Sequence, residues 1–353
     1  MRVLMGADVA EDSGGVAIHM KSIAHGLRDR NVDVELAWAL APRGWVKGAV
    51  TTIRFSQHLA RLAKMGCFDV VHAHGPTGAL LSARGPATVV TSHGDERVAW
   101  RSRVATEDVP FTQHVTVPIT RLPLFAHAIR SADVVIALHS GEAERFSQER
   151  RGRPVMTIGN GSGPVSAGNP ESGNIVFVGT WLPRKGSSVL PRAFAEAAAH
   201  DPSLRLTLVG PGPAAVDLFP DACRARIRAT GFVSADRVEE ELRAADLVVL
   251  PSYFEGMPLA LLEAMRFGVP TVAFDVEGST AAAQDAGLFA PVGDWRRLAD
   301  LLVRVVQDRG LRARLSDRAT AIASSRSWDA MAGETVRAYE VARSSRRARQ
   351  VAA

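Results

Sequence analysis

The chain has 353 residues, with 42 Lys plus Arg against 37 Asp plus Glu and a formal net charge of +5. At roughly 100 to 200 residues per domain, this length predicts two domains. Apolar residues make up 46% of the chain and charged residues 22%, which is typical of a globular protein and excludes a disordered or collagen-like chain. The arginines are scattered, so the positive charge does not indicate a nucleic-acid partner.

The cysteine content and the hydropathy pattern bear on the cellular compartment. Cys67 and Cys223 are far apart and form no disulfide framework. No basic-then-apolar leader opens the sequence, and no run approaches the ~18 apolar residues that a membrane helix needs. These features predict a cytoplasmic protein. The basic stretch RFSQHLARLAKMG, from Arg54, is interpreted first as a core-packing helix, and peripheral contact with the inner membrane face stays open as an alternative.

Short apolar segments alternate with longer helical segments along the first half of the chain. The predicted strands are VELAWAL, FDVVHA, ATVVTSH and ADVVIAL, which start at Val34, Phe68, Ala87 and Ala132. This alternation predicts βαβ units, with a parallel sheet covered by helices on both faces. The segment from Ser162 to Gly173 is rich in Gly, Pro and Ser and is typical of a linker. A first Rossmann-like domain is therefore predicted over residues 1–165.

The same alternation restarts after the linker and predicts a second Rossmann-like domain over residues 174–326. Its predicted strands start at Asn174, Leu204, Ile227, Ala245 and Pro270. The fold class is then α/β, with two doubly wound parallel sheets, and ligands are expected beyond the carboxyl ends of the strands, in a cleft between the domains. A last helix over 327–353, with Ser327 as its N-cap, is expected to pack back on the first domain and to end in a solvated basic tail, RRARQVAA from Arg346.

The stretch ADLVVLPSYFEGMPLALLEAMRFGVPTVAF, from Ala245, carries the most chemical information. A buried strand ends near Leu250, and Pro258 suits the first position of a following helix, whose free N–H groups and positive dipole end would form an anion site. Glu255 precedes this helix and Glu263 lies in its second turn. Neither carboxylate would face a phosphate, so hydroxyl groups on either side of a bound diphosphate are their expected partners.

Two further pairs of residues follow predicted strands. Arg184 and Lys185 stand at a helix start, where the dipole disfavours cations unless an anion binds there. Gly14 and Gly15 follow the first strand and would let the backbone approach a ligand closely. An exposed basic loop is the alternative interpretation of the Arg184 and Lys185 pair.

The segment E-G-M-P-L-A-L-L-E resembles the E-x7-E motif of retaining glycosyltransferases of family four, which have the GT-B fold. In that family the second Glu binds the ribose of the nucleotide and the first contacts the donor sugar, which implies these roles for Glu263 and Glu255. The resemblance also implies that the backbone between them holds the phosphate and the sugar. The residues concerned are Gly256, Met257, Pro258 and Leu259.

FVGTWLPRKG, from Phe177, resembles the family element in which a basic pair neutralises the diphosphate. This resemblance implies that role for Arg184 and Lys185, although the family often has Arg where this chain has Thr180. LVGPGP from Leu208 and the turn around Phe232 occupy the places where the family cradles the nucleotide base.

In the first half, Gly14 and Gly15 match the family's glycine loop, and His93 matches the family histidine near the sugar and the diphosphate. A metal site is the alternative interpretation of the neighbouring residues, which are His72, His74, His93 and Asp95. Their H-x-H and H-x-D spacings lie on separate strand ends with no Cys or Glu pattern joining them, so we predict no metal ligands. The absence of an Asp-x-Asp motif likewise favours a metal-independent site.

The resemblance implies a retaining hexosyltransferase that moves a sugar from a nucleoside-diphosphate-sugar, UDP- or GDP-linked, to a hydroxyl of a glycan, glycolipid or small metabolite, with no further cofactor. It also implies that Trp100, Arg101 and Arg103 are candidate contacts with the acceptor. Two alternatives stay open, because fold does not determine function. One is a sugar-nucleotide epimerase or hydrolase on the same fold, and the other is a non-catalytic partner of a transferase.

Overall fold

The computed structural model describes residues 1–11, 14–39, 49–82, 84–170 and 173–352. The chain divides into two compact units. The first comprises Met1–Trp100, Asp108–Gly161 and Trp328–Ala353, and the second comprises Arg101–Glu107 and Ser162–Ser327.

The first unit is built on a six-stranded parallel sheet with the strand order β2-β1-β3-β4-β5-β6. Its strands are β1 (Arg2–Ala7), β2 (Asp33–Trp38), β3 (Val70–His74), β4 (Ala87–Thr91), β5 (Val134–Ala137) and β6 (Val155–Thr157). The helices along this part of the chain are α1 (Gly14–Arg28), α2 (Ala49–Met65), α3 (Glu96–Thr106), α4 (Phe111–Thr116), α5 (Leu122–Ser131) and α6 (Ser140–Arg150). Every residue of β3, β4 and β5 is buried, as expected for strands covered on both faces.

Alternation along β1 shows how the first sheet is packed on its two faces. Val3 and Met5 belong to a core cluster with residues of α1 and of the last helix, whereas Leu4 belongs to a separate cluster with residues of α2 and α5. Successive side chains of a strand point to opposite faces, so one apolar strand supplies both cores. The continuous apolar run of β1 therefore contributes side chains to the cores on both faces of the first sheet.

The second unit has a six-stranded parallel sheet with the strand order β12-β11-β10-β7-β8-β9. Its strands are β7 (Asn174–Val178), β8 (Arg205–Val209), β9 (Ile227–Gly231), β10 (Leu247–Leu250), β11 (Thr271–Phe274) and β12 (Gly287–Ala290). Its helices are α7 (Leu190–His200), α8 (Asp221–Arg224), α9 (Ala235–Arg243), α10 (Leu259–Met265), α11 (Glu277–Ala283), α12 (Trp295–Gln307) and α13 (Arg309–Ser325). The predicted fold class, α/β with two parallel sheets, is confirmed.

The strand orders locate the point in each sheet where the winding reverses. In the first sheet β1 lies between β2 and β3, and in the second sheet β7 lies between β8 and β10. Ligands of doubly wound sheets bind outside the carboxyl ends of the strands at such a point. Ligand-binding residues are therefore expected in the segments that follow β1 and β3, and in those that follow β7 and β10.

The last helix, α14 (Trp328–Ala352), is held in the first unit by a buried ion pair. Arg346 Nη2 lies 2.7 Å from Asp133 Oδ2, and Arg349 also pairs with Asp133. Both the Asp133 carboxylate and the Arg346 guanidinium are buried. The prediction of a solvated basic tail from Arg346 is therefore wrong, because the helix continues through it to Ala352 and its arginines neutralise a buried carboxylate.

Replacing Asp133 by alanine should destabilise the protein by about 3–5 kcal/mol, because the change leaves the Arg346 charge buried without its partner. The matched control is Asp329→Ala, which removes an exposed carboxylate that pairs with Arg30 at the other end of α14. An exposed ion pair contributes little, so this variant should unfold nearly as the wild type does. Urea denaturation compares the three proteins, and equal effects of the two substitutions would refute the argument.

Candidate functional site

Lys185 and Glu255 form an ion pair at the carboxyl ends of β7 and β10. Lys185 Nζ lies 2.6 Å from Glu255 Oε1, and the two side chains are 20% and 8% exposed. The residues are 70 positions apart in sequence, and they meet because β7 and β10 are adjacent parallel strands. A largely buried ammonium and carboxylate thus lie where the second sheet reverses its winding.

The turn that carries Lys185 depends on a glycine. Pro183–Lys185 forms a short 3₁₀ turn that ends at Gly186, whose φ is 88°. A Cβ atom at Gly186 would lie 2.4 Å from the carbonyl oxygen of Pro251, the residue after β10. Only glycine combines this conformation with this approach, so Gly186 holds the turn against the loop that leads to Glu255.

The loop before α10 is buried and closely packed. Gly256, Met257 and Pro258 are buried, and Leu259 is half-buried. The helix begins at Leu259 and has seven residues, with Pro258 as its N-cap at φ −69° and ψ 118°. The prediction that Pro258 occupies the first helical position is therefore wrong by one residue.

Gly278, in α11, is a residue that the sequence reasoning missed. A Cβ atom there would lie 2.2 Å from the carbonyl oxygen of Glu255 and 2.6 Å from that of Gly256. Any larger residue would displace the loop that carries the Glu255 carboxylate. The E-G-S stretch at the start of α11 gives no signal of this contact, because the contact depends on how α11 packs against the loop.

Glu263 lies in α10, eight residues after Glu255, and is half-buried. Its pKa is raised, chiefly by burial, while nearby Arg266 opposes the rise and Glu239 adds to it. A carboxylate that has lost part of its hydration gains most from hydroxyl or N–H donors of a ligand.

The guanidinium of Arg184 lies close to the carboxylate of Glu107, which also belongs to the second unit. Arg184 Nε lies 3.5 Å from Glu107 Oε1, and its side chain is 34% exposed. Glu107 also accepts a hydrogen bond of 3.0 Å from Arg103 Nε. The two basic residues predicted to bind the diphosphate therefore have different partners, and a donor would have to compete with Glu107 for Arg184.

The backbone after β7, β8 and β9 forms a hydrogen-bonded group of turns. Gly179 N–H donates to Val209 O at 3.0 Å, and Gly210 N–H donates to Gly231 O at 3.0 Å. Phe232 follows directly and its side chain is 88% exposed. An exposed aromatic ring beside a run of turn backbone offers a face on which a planar group could stack.

In the first unit, Gly14 and Gly15 open α1 and are both exposed. Gly14 has a φ of 69°, and a Cβ atom there would meet no atom of the described residues within 4 Å. The two residues before it lie outside the described residues. The backbone at this helix start is therefore accessible from the solvent side.

His93, which follows β4, belongs to a cluster of imidazole rings. His74 Nδ1 and His93 Nε2 share a hydrogen bond of 2.8 Å, and their rings stack with centroids 5.1 Å apart. His72 stacks on His74 at 4.6 Å, and His19 from α1 meets the His93 ring edge-on at 4.8 Å. Asp95 does not join the cluster, because Arg97 engages both of its oxygens.

Burial keeps the imidazoles of this cluster neutral. It lowers the pKa of His19 to about 4, against the opposing effect of a hydrogen bond with Asn160, and that of His72 to about 3. The pKa values of His74 and His93 are also held well below the ordinary range, first by burial and then by neighbouring histidines. At neutral pH these rings can donate or accept hydrogen bonds but carry no charge.

Two family models match the chain. One, described as Glycosyltransferase Family 4, matches residues 13–162, and the other, described as Glycosyl transferases group 1, matches residues 172–308. A D-inositol 3-phosphate glycosyltransferase of a Nocardioides species is 31% identical over 319 residues, which are 79% of this chain and 68% of that relative. The chain belongs to glycosyltransferase family 4.

Other members and structures agree with this assignment. A phosphatidyl-myo-inositol mannosyltransferase of Mycolicibacterium smegmatis is 26% identical over 366 residues, which are 93% of this chain and 90% of that relative. The solved structure of sucrose-phosphate synthase from Thermosynechococcus elongatus is similar with a TM-score of 0.75 at 19% identity, covering 96% of this chain and 98% of that one. The predicted GT-B fold and the predicted family are confirmed.

The structure of this family 4 glycosyltransferase also gives the surroundings of three single residues, of which the sequence did not indicate His19. Thr180, where the family often has Arg, is exposed. His19 was not predicted as a member of the histidine cluster, because a histidine within an amphipathic helix carries no sign of which strand ends it faces. Trp100 has its ring edge-on to His114, at 5.9 Å between centroids.

Among the residues that the structure describes, no helix combines the length and the apolar character needed to cross a lipid bilayer.

Glu142 supports the segment that leads to His93 in this glycosyltransferase. Its carboxyl group accepts hydrogen bonds from Ser92 Oγ at 2.7 Å and from the Leu138 N–H at 3.1 Å. Burial raises the pKa of Glu142 to about 7, although these hydrogen bonds oppose the rise. Its ordinary pKa is 4.5, so the carboxyl group favours the folded state fully below that pH, and this contribution is lost as the pH rises through 7.

Glu142→Gln should therefore stabilise the protein at pH 8 but have little effect at pH 5. The free-energy difference between variant and wild type should grow by roughly 2 to 3 kcal/mol across that range. Urea unfolding at the two pH values measures it. The control is Glu144→Gln, an exposed position in the same helix, which should give equal differences at both pH values. A constant difference for Glu142→Gln would contradict the assigned pKa.

Proposed function

We propose that this protein is a retaining hexosyltransferase that moves a sugar from a nucleoside-diphosphate-sugar to an acceptor hydroxyl. The observation that carries the proposal is the buried pair of Lys185 Nζ and Glu255 Oε1, 2.6 Å apart, at the point where the second sheet reverses its winding. A cation stabilises a bound diphosphate, and a carboxylate accepts hydrogen bonds from sugar hydroxyls. Lys185 and Glu255 supply these two groups side by side.

In this proposal the ion pair persists and both of its groups gain a partner when the donor binds. The ammonium of Lys185 has three N–H donors, so it can bind a phosphate oxygen while it still contacts Glu255. The Glu255 carboxylate has a second oxygen, which can accept a hydrogen bond from a sugar hydroxyl. Because the pair is largely buried, the new interactions act where water screens them weakly.

The nucleoside would occupy two further places in the second unit. The half-buried carboxylate of Glu263 would accept hydrogen bonds from the ribose hydroxyls, which offset the cost of its burial. The base would lie along the turns at Gly179, Gly210 and Gly231, with the exposed ring of Phe232 available for stacking. These backbone contacts are compatible with either UDP or GDP.

The chemical step would depend on electrostatic stabilisation of the leaving group. The bond between the anomeric carbon and the diphosphate oxygen breaks, and the acceptor oxygen forms the new bond on the same face. The acceptor proton passes to a donor phosphate oxygen. Lys185, with Arg184 as a second cation, would stabilise the negative charge that develops on the diphosphate. We propose that no metal ion is required for this step and that His93 contacts the transferred sugar.

The names of the relatives favour a particular class of acceptor. Two of them are named for transfer to inositol 3-phosphate and to phosphatidyl-myo-inositol. We therefore propose a polyol acceptor of the inositol type, free or lipid-linked. A lipid-linked acceptor would require peripheral contact with a membrane surface.

Lys185→Ala should lower turnover by about 10²- to 10³-fold, the scale of losing one electrostatic stabiliser, and Glu255→Gln should also lower it. Activity is measured as sugar transfer from UDP- and GDP-hexoses to a panel of inositol acceptors. Arg192→Ala is the matched control, because it removes an exposed cation from α7 in the same unit and should leave turnover unchanged.

A thermal-shift series with UDP, GDP and their sugars accompanies the assay, since a ligand that binds the folded state raises its melting temperature. The wild type and Arg192→Ala should be stabilised, and Lys185→Ala should be stabilised less. Isomerised or hydrolysed donor without any acceptor present would indicate an epimerase or hydrolase instead. No stabilisation of the wild type by any nucleotide would indicate a non-catalytic partner.

A further inference from the structure

A cavity of about 570 Å³ opens at one end of the first unit. It lies where α5 and α6 end and the chain turns back into β5 and β6, and its lining is Arg130, Gln148, Glu149, Arg150, Arg151 and Arg153. The strands of this sheet are parallel, so the amino ends of β5 and β6 lie at the edge opposite to the carboxyl ends that carry the histidine cluster. The cavity therefore shares no residue with that cluster or with the donor site proposed in the second unit.

The lining carries an excess of three positive charges. Among the described residues that form it, four are arginines, and Glu149 supplies the one carboxylate. Glu149 Oε2 accepts a hydrogen bond of 2.8 Å from Arg97, which is not part of the lining, whereas Arg130 Nη1 approaches Glu149 Oε1 only to 3.8 Å. Guanidinium groups that share one cavity repel each other, and an anion between them would relieve that repulsion.

Arg150 lies buried in the wall of the cavity, with 3% of its surface exposed. Its guanidinium donates to the carbonyl oxygens of Ala132 at 2.9 Å and Asp133 at 3.2 Å, and also to that of Ile129. It forms no ion pair in the part of the chain that the structure describes, and its buried Nε has no hydrogen-bond partner there. A buried donor without an acceptor costs free energy, which a bound ligand would offset.

The charge of Arg150 is only partly compensated. Burial, together with the charge of Arg153, lowers the pKa of Arg150 to about 10, while Glu149 opposes this change. The carbonyl oxygens at the end of α5 carry only a partial negative charge. Arg150 is still protonated at neutral pH, so an anion in the cavity would gain a buried cation as its partner.

Arg151 and Arg153 reach the same cavity through a tight turn. Arg151 and Gly152 have φ values of 49° and 84°, and the Arg153 N–H donates to Arg150 O at 3.2 Å. Arg153 Nη1 donates to two carbonyl oxygens at the end of α5, at 2.9 and 3.1 Å. Arg151 is exposed, and its guanidinium has no partner among the described residues. Most N–H groups of these two guanidiniums are therefore available to a ligand.

Arg346 of α14 lies near this cavity but is already paired. Burial lowers its pKa, and the charge of Arg153 lowers it in addition. Its guanidinium lies 2.7 Å from Asp133 Oδ2, and Arg349 pairs with the same carboxylate. Because two arginines of α14 share the Asp133 carboxylate, it leaves no negative charge to balance the arginines of the cavity.

We propose that this cavity binds a phosphate group with at least two negative charges through its four arginines. They are Arg130, Arg150, Arg151 and Arg153. Guanidinium groups bind phosphate oxygens through paired N–H donors, and the excess of positive charge favours a phosphate monoester or a diphosphate over a single carboxylate. The volume is that of a small-molecule pocket and leaves room for more than the phosphate itself. The phosphate would belong to a soluble metabolite or to a lipid headgroup.

Isothermal calorimetry with pyrophosphate tests the site on the whole protein, in about 0.15 M NaCl to screen weak surface attraction. The titration uses Lys185→Ala, so that the proposed donor site does not contribute. This variant should bind one pyrophosphate. Adding Arg151→Ala and Arg153→Ala should weaken binding by about 10- to 100-fold, because charged hydrogen bonds are lost. Both arginines are exposed, and circular dichroism checks that the variant is folded.

The matched control adds Arg61→Ala and Arg192→Ala to Lys185→Ala. It removes two exposed arginines that do not line the cavity, so its net charge equals that of the test variant. It should bind pyrophosphate as tightly as Lys185→Ala does. No pyrophosphate binding by Lys185→Ala, or equal affinities of the test variant and the control, would overturn the proposal.

Cosedimentation with phosphatidylcholine vesicles, with and without phosphatidic acid, distinguishes the two sources of the phosphate. Binding that requires phosphatidic acid and is lost in Arg151→Ala/Arg153→Ala would assign the site to a lipid phosphate. Binding of pyrophosphate without binding of these vesicles would assign it to a soluble phosphate compound.

Discussion

The contact between Lys185 and Glu255 organises the second unit of this glycosyltransferase. It joins two loops that leave adjacent parallel strands, and it places both charges in a largely buried setting. Glycines at 186 and 278 permit this arrangement, since a side chain at Gly186 would push the two loops apart and one at Gly278 would displace the Glu255 loop from α11. A buried ion pair of this kind is costly unless a ligand or further hydrogen bonds compensate for its burial, which is why we propose it as the functional site of this unit.

The first unit gathers a different chemistry at its strand ends. Its imidazoles are uncharged because burial penalises their protonated forms, so the cluster offers lone pairs and N–H groups and no fixed charge. Burial also favours the neutral form of Glu142. For a carboxyl group this is the protonated form, so burial raises its pKa, whereas it lowers the pKa of the histidines. The segment that carries His93 therefore contacts two kinds of ionisable group. The neighbouring histidines change protonation below neutral pH, and Glu142 changes protonation near neutral pH.

The last helix shows where local reasoning about charge fails. A run of arginines at the end of a chain usually faces solvent, and this pattern predicts a solvated tail for RRARQVAA. The structure places Arg346 against Asp133, which is buried and 213 residues away in sequence. A buried carboxylate requires a cation, and nothing near Asp133 in the sequence indicates that the last helix supplies it.

The sequence by itself determined the alternation of strands and helices, the two parallel sheets and the family, because periodicity and the E-x7-E spacing are local properties of the chain. Only the tertiary structure decided that Lys185 pairs with Glu255 while Arg184 faces Glu107, that His19 joins His74 and His93, and that α10 begins at Leu259. These features depend on strand order, on the close approach of backbones and on burial. All three arise from contacts between residues distant in sequence, which no local pattern encodes.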